Sequence, residues 1–495
     1  MSGLRWWLTS LSLVVAGAAN RVPRFAREPM AALPPHDQRH WRRRLGEGFR
    51  LLADGKEALA VRLALIEQAQ VSIDAQYYQW KTDSSGQLLL SALVDAADRG
   101  VRVRLLVDDI HTNDDPAIAR INAHPNIHIR LFNPFGSRVL TPITRPLEWL
   151  WDFSRANHRM HNKALVVDGE VVIIGGRNVG DEYFGLHPRR NFLDTDVLAL
   201  GDFVDEVIKA FDLFFNCEWS VPVSRLILLR PIGAEVKLAF RRLREFRDKP
   251  HCRALLARLP SSPLEGRLLP GQARVIYDKP HKVRRFRRRA GSSTALVLSR
   301  LAQQARKQLL VFSPYLVPSQ DLIARLGIQT GRGVRTRFVT NSLAANDVIM
   351  AHTGYQDQRP ALLSAGVELN ELARDAPLPG GKTEGSHSSL HAKLLVYDRS
   401  HLYIGTFNMD PRSIFINTEM GLLIDCEPLA REVTVLARAM IRSGHCWQPR
   451  LDGHDLIWWR RFNGSLFTSA VEPQSSLWRR LLAWLLSWLP VRNQL

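Results

Sequence analysis

The sequence is poor in cysteine and in acidic residues. Only four cysteines occur among 495 residues, and none forms a CxxC pair. Their scarcity excludes a disulfide-stapled fold or a zinc ribbon, and it predicts free thiols in the core. The 48 acidic residues are outnumbered by 67 basic ones, which gives a net charge of +19. This imbalance predicts an anionic partner, either nucleic acid or a membrane rich in anionic lipid.

The N-terminal apolar run, residues 6–19, is short for a membrane span. The stretch AGA at 16–18 resembles a signal-peptidase site. Arg21, Arg24, Arg27 and the triplet at 42–44 tend to hold the following segment on the cytoplasmic side. We therefore favour an uncleaved membrane-associating segment over residues 1–40, with a signal peptide and a disordered tail as the alternatives.

The pattern HxKxxxxD occurs twice, as HNKALVVD at 161–168 and HAKLLVYD at 391–398. Each copy continues alike, because GGRN at 175–178 and GTFN at 405–408 both begin seven residues after the motif Asp. One copy would be weak evidence, since a His and a Lys two residues apart on a strand can be solvated surface residues. Two copies with matching continuations indicate a duplicated functional unit.

A His and a Lys at positions i and i+2 of a strand point to the same face, so each copy presents an imidazole and an ammonium group to one pocket. The motif Asp lies seven residues after the His, so its side chain would point to the opposite face of the strand. We expect it at the end of the strand, where it supports the motif and does not touch the substrate. The candidate catalytic residues are His161, Lys163, Asp168, His391, Lys393 and Asp398.

If the two halves pack about a pseudo-twofold axis, one cleft receives both motifs together with Asn178 and Asn408. Such a cleft suits a phosphodiester. One His attacks phosphorus and forms a phosphohistidine, while the other protonates the leaving alcohol and later deprotonates the incoming one. The lysines and asparagines stabilise charge on the non-bridging oxygens, so we expect neither a metal nor another cofactor.

A nucleophilic His also needs a carboxylate on its other ring nitrogen, which fixes the tautomer. Candidates follow each motif: Glu419 lies in NTE at 417–419, and Asp194 and Asp196 lie in DTD at 194–196. The sequence leaves open whether Asp194 or Asp196 orients His161. Our predicted site contains Asp196 and Glu419.

These residues resemble the paired motifs of the phospholipase D superfamily, and the chain is most similar to the C-type branch of the bacterial cardiolipin synthases. The likeness runs from about residue 41 to 458 and includes LFNPF at 131–135, DFSR at 152–155, TNSLAAND at 340–347 and DPRS at 410–413. It implies His161 as nucleophile and His391 as general acid and base. Two departures are Gly176, where the second copy has Thr406, and an extra segment at 184–191.

The coarse pattern alternates helices and strands twice. The first half predicts helices at 55–70 and 86–99 with strands at 71–78, 101–107 and 127–132; the second predicts helices at 293–306, 319–330 and 345–365 with strands at 308–312, 334–339 and 367–372. The predicted fold class is α/β, with two phospholipase D-like repeats about a pseudo-twofold axis, a mainly parallel sheet in each, and the active site between them. The repeats occupy 41–219 and 292–450.

Two further segments complete the predicted organisation. Residues 220–291 contain seven prolines and no clear period, which predicts a connector; its basic run HKVRRFRRR at 281–289 suits anionic headgroups better than nucleic acid or solvent. The tail 451–495 contains a nearly apolar stretch at 477–489, with Arg479, Arg480, Ala483 and Ser487 on one narrow stripe. We favour an amphipathic interfacial helix there over a helix packed on the core.

The resemblance implies a phosphatidyltransferase that uses phosphatidylglycerol as acceptor and phosphatidylethanolamine or a second phosphatidylglycerol as donor. The alternatives are a hydrolase that releases phosphatidic acid and a nuclease. Nucleases that resemble this superfamily typically carry one motif per chain and dimerise, which disfavours nucleic acid as substrate and predicts a monomer here. We expect the protein at the bacterial inner membrane, either peripheral or N-terminally anchored, with the membrane face and any protein partner left open.

Overall fold

A computed structural model describes residues 29–30, 40–112, 114–138, 141–227, 231–284, 292–381, 384–453 and 455–488. Most of the predicted N-terminal segment 1–40 lies outside these residues. So do residues 285–289 of the predicted basic run.

The first lobe contains nine strands within the described ranges: β1 (Gly48–Leu52), β2 (Ser72–Tyr77), β3 (Arg102–Asp108), β4 (Ile127–Phe132), β5 (Ala164–Val167), β6 (Val171–Gly175), β7 (Arg190–Leu193), β8 (Asp196–Leu200) and β9 (Ser220–Pro222). Eight of them form one sheet in the order β1-β8-β6-β5-β2-β3-β4-β9. Strands β2, β3 and β4 are parallel, and the other neighbouring pairs are antiparallel.

The second lobe supplies β10 (Gln272–Tyr277), β11 (Gln308–Phe312), β12 (Arg335–Asn341), β13 (Glu368–Leu372), β14 (His387–Leu390), β15 (Leu394–Tyr397), β16 (His401–Gly405), β17 (Met420–Asp425), β18 (Cys446–Asp452), β19 (Asp455–Phe462) and β20 (Ser465–Ser469). Its sheet has the order β10-β17-β16-β15-β11-β12-β13-β18-β19-β20. Strand β14 lies outside this sheet and pairs in parallel with β7 of the first lobe.

The α-helices are His40–Leu45, Gly55–Gln68, Ser84–Asp98, Asp115–Asn122, Thr141–Trp151, Phe153–Ala156, Val204–Phe215, Val223–Leu226, Gly233–Asp248, Pro250–Leu256, Ser293–Gln304, Gln320–Gly331, Ile349–Gln356, Arg359–Ser364, Glu427–Arg442 and Leu477–Ser487. Short 3₁₀ turns lie at Asp109–His111, Asp181–Tyr183 and Pro280–Arg284, and a π-helical turn lies at Arg412–Ile416. Within the described ranges, no helix combines the length and the apolar character that crossing a membrane requires.

The strand orders of the two sheets match position by position over eight strands, so the predicted α/β duplication is confirmed. The sheets are mixed, however, and not mainly parallel. The motif strands β5 and β15 fold back through hairpins and pair antiparallel with β2 and β11. The hairpins account for the antiparallel pairs β5–β6 and β15–β16, because two parallel strands would need a crossover connection.

The two sheets face each other across one apolar core. A single buried cluster contains side chains of β1, β5, β6 and β8 from the first lobe and of β15, β16 and β17 from the second. Helix Glu427–Arg442 contributes Leu429, Val433 and Ala437 to the same cluster. Burying this surface is the main force that joins the lobes. All four cysteines are free, and three of them are buried, as predicted.

The predicted elements hold where local signals are strong. Helix Gly55–Gln68 begins at the predicted residue, and the Asp54 carboxylate caps it by accepting hydrogen bonds from the backbone of Lys56 and Glu57. The prediction of one helix over 345–365 was wrong, because Ile349–Gln356 and Arg359–Ser364 are separate helices. Pro360 lies in the first turn of the second helix, and a proline disfavours a helical conformation in the residue before it.

The predicted connector 220–291 contains regular structure. Helix Gly233–Asp248 lies against helix Ser84–Asp98, where Arg244 pairs with Asp95 and Asp98. Strand β10 then pairs with β17, as β1 pairs with β8. The arginines of this helix bind acidic partners about 150 residues away in the chain, so no local sequence pattern predicts the contact.

The motif aspartates lie at the two hairpin turns, where Asp168 has φ 52° and Asp398 has φ 50°. The buried carboxylate of Asp168 accepts hydrogen bonds from the backbone of residues 70–72 and from Trp41 Nε1 at 2.8 Å. The carboxylate of Asp398 accepts from the backbone of residues 306–308. Partial burial opposes ionisation of Asp398, but these backbone donors lower its pKa. Each Asp therefore holds the end of its motif strand to the start of the neighbouring strand, β2 or β11.

We expect Asp168→Ala to lower the free energy of unfolding by about 3 kcal/mol, because several buried donors would lose their acceptor at once. Asp398→Ala should cost about 1 kcal/mol, since water reaches that more exposed turn. Urea unfolding of both variants measures the difference. Equal losses would contradict the contribution of burial at Asp168.

Candidate active site

Two short parallel pairings between the lobes deliver the motif histidines to one place. Strand β14 pairs with β7, with Leu390 opposite Leu193, and the backbone N–H of His391 then donates to the Leu193 carbonyl at 2.7 Å. In the other copy, Met160 bridges Thr418 in parallel, and the N–H of His161 donates to the Thr418 carbonyl at 3.0 Å. Each His therefore follows a pairing with the opposite lobe.

Each histidine is oriented by a carboxylate of the opposite lobe. His161 Nδ1 lies 2.9 Å from Glu419 Oε2, and His391 Nδ1 lies 2.5 Å from Asp194 Oδ2. All four side chains are buried. The carboxylates occupy Nδ1 of both rings, which leaves Nε2 of each ring for a reacting atom.

The prediction that Asp196 orients His161 is therefore wrong, because Asp194 is the orienting aspartate and its partner is His391. Asp196 is the first residue of β8, paired with Gly175, and its carboxylate accepts from the side chains of Arg62 at 2.8 Å and Arg177 at 3.3 Å. The pairing between the lobes ends at Leu193, so the next residue in the chain is the one that faces His391. Asp196 belongs instead to the buried ion pairs of the first lobe.

The two motif lysines converge on the same cleft. Lys163 Nζ donates to the His161 carbonyl at 2.7 Å, and Lys393 Nζ donates to the His391 carbonyl and lies 2.8 Å from His391 Nδ1. Burial lowers the pKa of both lysines, and for Lys163 the nearby charge of Lys393 lowers it further. The pKa of Lys393 is about 8. Lys163 and Lys393 repel each other in this cleft, which favours an anionic ligand between them.

The predicted asparagines flank this cleft and are buried. Asn178 accepts from the backbone N–H of Gln79 at 3.2 Å and donates to the Tyr183 hydroxyl at 2.9 Å. Asn408 Oδ1 has no hydrogen-bond partner among the described residues. Over the same ranges, no three His, Cys, Asp or Glu side chains gather as a metal ion would require.

The two His–carboxylate pairs differ in charge. Burial raises the pKa of Glu419 to about 7. Burial also acts on Asp194, but the charges of His391 and Lys393 outweigh it and bring the pKa of Asp194 below its usual range. Burial and the two lysines hold the pKa of His161 well below 6.5. Burial and Lys393 lower the pKa of His391 as well, but Asp194 opposes them, so His391 accepts a proton more readily.

The departure at Gly176 makes room for Asp194. A Cβ atom at Gly176 would lie 2.1 Å from Asp194 Oδ1. In the second copy, the Thr406 hydroxyl donates to Glu419 Oε2, and Ser413 donates to the other carboxylate oxygen at 2.7 Å. The first copy has no hydroxyl at this position, because Asp194 needs the space that glycine leaves. The second copy keeps the hydroxyl, because Glu419 accepts a hydrogen bond from it.

We expect Gly176→Ala to reduce kcat about 100-fold, because the added methyl group pushes Asp194 away from His391, and a displacement near 1 Å can cost that much. Steady-state kinetics on the purified variant measure the loss. Gly233→Ala, at the start of helix Gly233–Asp248, serves as a control, because a Cβ there meets nothing within 4 Å and the residue has no positive φ. Unchanged kcat in Gly176→Ala would show that the position of Asp194 does not limit the reaction.

Aromatic rings enclose both histidines, and sequence reasoning assigned none of them to the site. Tyr78 packs edge-on against His161 with the ring centroids 5.1 Å apart. Tyr183 and Phe192 lie 5.2 and 5.0 Å from the His391 ring. Tyr183 and Phe192 directly flank the extra segment 184–191, and that insertion was the available signal. These rings limit the access of water to the imidazoles.

Two arginines near the predicted asparagines have structural partners. The guanidinium of Arg177 donates to the carbonyls of Leu52, Ala53 and Asp194. Arg412 reaches across to the first lobe, where it donates to the side chain of Asn157 at 2.7 Å. Arg412 therefore helps to hold the lobes together.

Comparisons with known proteins agree with this geometry. A family model described as "Cardiolipin synthase, PLD-like domain" matches residues 63–213 and 298–441. Cardiolipin synthase C of Escherichia coli (strain K12) is 38% identical over 458 residues, which cover 88% of this chain and 93% of that protein. An uncharacterized protein of Helicobacter pylori (strain ATCC 700392 / 26695) is 31% identical over 452 residues, covering 87% and 86%.

Among solved structures, phosphatidylserine synthase of Haemophilus influenzae Rd KW20 superposes with a TM-score of 0.55 at 16% identity, covering 81% of this chain and 87% of that one. At this identity the likeness concerns the fold alone. Each range of the family match contains one complete copy of the motif, at 161–168 and at 391–398.

Proposed function

The chain belongs to the family of phospholipase D-like cardiolipin synthases, and from this premise we propose that it transfers a phosphatidyl group to phosphatidylglycerol through a covalent phosphohistidine. The donor is phosphatidylethanolamine or a second phosphatidylglycerol. The observation that carries the proposal is the pair of buried histidines, each held through Nδ1 by a carboxylate of the opposite lobe.

The unequal charge of the two pairs supports the assignment of roles. A nucleophile must be neutral, and burial together with two ammonium groups favours neutral His161. A general acid must carry a proton, and the ionised Asp194 favours protonated His391. His161 is therefore the nucleophile and His391 the acid.

In the first step, His161 Nε2 attacks the phosphorus of the donor. A P–N bond forms while the P–O bond to the headgroup alcohol breaks, and His391 gives its proton to the departing oxygen. In the second step, a hydroxyl of phosphatidylglycerol loses its proton to His391 and attacks the same phosphorus. The P–N bond breaks, cardiolipin leaves, and both histidines return to their initial protonation states.

The charges of both transition states fall on the non-bridging oxygens of the phosphoryl group. We assign their stabilisation to Lys163 and Lys393 and to the amides of Asn178 and Asn408. The proposed steps involve no metal ion or other cofactor. Asp168 and Asp398 act at a distance, because they hold the motif turns in place.

The C-terminal helix Leu477–Ser487 turns its apolar side outward, which supports action at a membrane. Trp478 and Trp488 are 80% and 73% exposed, whereas Ala483 is buried. The predicted polar stripe faces the protein, where Arg479 Nε donates to the Leu343 carbonyl at 2.7 Å. A helix packed on the core would have the opposite orientation. Exposed Trp and Leu suit the boundary between headgroups and acyl chains, so we propose that this helix docks the protein on the bilayer.

We further propose that the protein works as a monomer on the bacterial inner membrane. Both motif copies lie in one chain, so a second chain is not needed to complete the site. The net charge of +19 favours an anionic membrane surface.

The test is an assay of purified protein on phosphatidylglycerol vesicles that contain headgroup-labelled phosphatidylethanolamine, in EDTA, with products resolved by mass spectrometry. We expect cardiolipin from the wild type, and released ethanolamine would identify that lipid as donor. His161→Ala should form none. His251→Ala, which replaces an exposed histidine of helix Pro250–Leu256, should retain activity.

Other products would overturn the transferase proposal. Phosphatidic acid without cardiolipin would make the protein a hydrolase. Cleavage of nucleic acid in EDTA, with no change in any lipid, would make it a nuclease.

A further inference from the structure

A cavity of about 660 Å³ adjoins the start of the β14–β7 pairing, and its wall is rich in cations. Its wall contains Arg189, Arg190, Arg374, Arg479, His187 and His387. We call this cavity the arginine pocket. None of its four arginines forms a salt bridge with a described carboxylate, whereas Lys81 at its edge pairs with Glu182. The arginine pocket therefore carries a surplus of positive charge.

The arginines are close enough to oppose one another. Burial and the charges of Arg374 and Arg190 lower the pKa of Arg479. Arg374 contacts His387, and Arg479 donates through its guanidinium to the carbonyls of Leu343 and Asn346. Asp347 opposes this shift and Glu182 also lines the wall, but the four arginines outnumber these carboxylates. Like charges in such excess are destabilising unless an anion joins them.

The arginine pocket lies along the same strand pairing as the catalytic His391, although none of the motif histidines or lysines lines its wall. His387 and Arg190 face each other at one end of the β14–β7 pairing, and His391 and Asp194 follow its other end. Four residues of strand separate the two positions, roughly 13 Å. Between them, the Phe192 ring lies 5.7 Å from the Arg190 guanidinium and 5.0 Å from the His391 ring.

The arginine pocket also connects to the membrane-facing helix. Trp478, Arg479 and Leu482 of helix Leu477–Ser487 line its wall. Arg479 points inward, while Trp478 is 80% exposed on the outer side. A lipid bound here could therefore place its phosphate among the arginines and its acyl chains against the exposed Trp and Leu side chains.

We propose that the arginine pocket binds the phosphodiester of the acceptor phosphatidylglycerol, an inference that rests on the proposed function. In that lipid one glycerol unit separates the phosphate from the hydroxyl that reacts. Arginine pairs with phosphate through two parallel hydrogen bonds, which fixes orientation as well as charge. The arginine pocket thus holds the acceptor so that its free hydroxyl points towards His391.

The membrane lipid is a better occupant than a nucleic acid. The only aromatic side chain among the pocket residues is Trp478, which lies on the bilayer-facing helix, whereas single-stranded nucleic acids bind to grooves with several stacking aromatics. A lipid uses both the cations and the exposed apolar helix. A nucleic acid would leave the apolar helix unused.

The test measures binding of dihexanoyl phosphatidylglycerol, below its micelle concentration, to the full chain carrying His161→Ala. This background removes turnover, so the result does not depend on the proposed reaction. We expect Arg190→Gln with Arg374→Gln to weaken binding at least about tenfold, whereas Arg300→Gln, an exposed arginine outside the pocket, should not. Melting temperatures check that each variant folds.

A second measurement uses the active enzyme. The same pair of substitutions should raise KM for phosphatidylglycerol about tenfold while kcat stays within about twofold. Equal binding by the double variant and Arg300→Gln would overturn the proposal. Inorganic phosphate bound as tightly as the lipid would overturn the headgroup assignment, and so would a 20-nucleotide DNA whose binding falls more than that of the lipid. If binding depends on the arginines but no cardiolipin forms, the proposed reaction fails and the anionic-lipid site remains.

Discussion

Replacement of His161 by alanine should lower the rate of phosphatidyl transfer at least about 10⁴-fold and remove the covalent intermediate. The reaction proposed here passes through a bond between phosphorus and His161 Nε2, and no other group at this position can form it. His391→Ala should slow the reaction about 10²–10⁴-fold, because it removes the proton donor and leaves the nucleophile. Rapid quenching with phosphorus-labelled donor lipid, followed by peptide mapping, measures both effects.

The label should be recovered on the peptide that contains His161, in the wild type and at a slower rate in His391→Ala. Alkaline quenching preserves a phosphohistidine better than acid does, so the two quenches also identify the bond chemically. Label mainly on the peptide that contains His391 would reverse the two roles. Cardiolipin formation by His161→Ala would exclude a phosphohistidine at His161.

The duplicated motif made most of this site predictable from sequence. Alternation along a strand predicted His161 and Lys163 on one face, although both precede β5 in the structure, and the repeat implied that His391 and Lys393 meet them. The parity of Asp168 also predicted its structural position correctly, because its carboxylate binds the backbone of residues 70–72. These inferences depend only on local geometry and on the assumption of a twofold arrangement.

The partners of the histidines could not be predicted in the same way. Glu419 follows the second motif in sequence but binds His161, and Asp194 follows the first motif but binds His391. Strand β14, which precedes His391, pairs with β7, which precedes Asp194. In the same way, Met160 pairs with Thr418, so His161 comes next to Glu419. No pattern within one half contains this information.

Tertiary contacts also decided features that sequence analysis left open. Helix Gly233–Asp248 has a polar composition typical of a connector, yet Arg244 and Arg247 bind carboxylates of the first lobe. The C-terminal helix had the expected amphipathic pattern, but its orientation depended on Arg479 entering the arginine pocket. Sequence predicts which faces differ, and packing determines which face turns inward.

Replacement of Asp194 by asparagine should shift the pH dependence of the reaction. Asp194 raises the pKa of His391 against burial and Lys393, so removing its charge lowers that pKa further. Less His391 is then protonated at any given pH. The alkaline limb of kcat/KM should therefore move to lower pH, and activity near neutral pH should fall about 10²–10⁴-fold. A pH–rate profile of wild type and variant measures both changes.

The matched variant is Asp196→Asn, because it makes the same chemical change two residues away. Asp196 lies between the buried guanidinium groups of Arg62 and Arg177, and breaking such a pair costs about 3–5 kcal/mol. We expect a lower midpoint of urea unfolding and an alkaline limb in its wild-type position. If Asp196→Asn moved that limb and Asp194→Asn did not, the original assignment of Asp196 would be right and the exchange of carboxylates between the lobes would not govern the chemistry. The two variants therefore separate a carboxylate that sets the charge of His391 from one that holds the first lobe together.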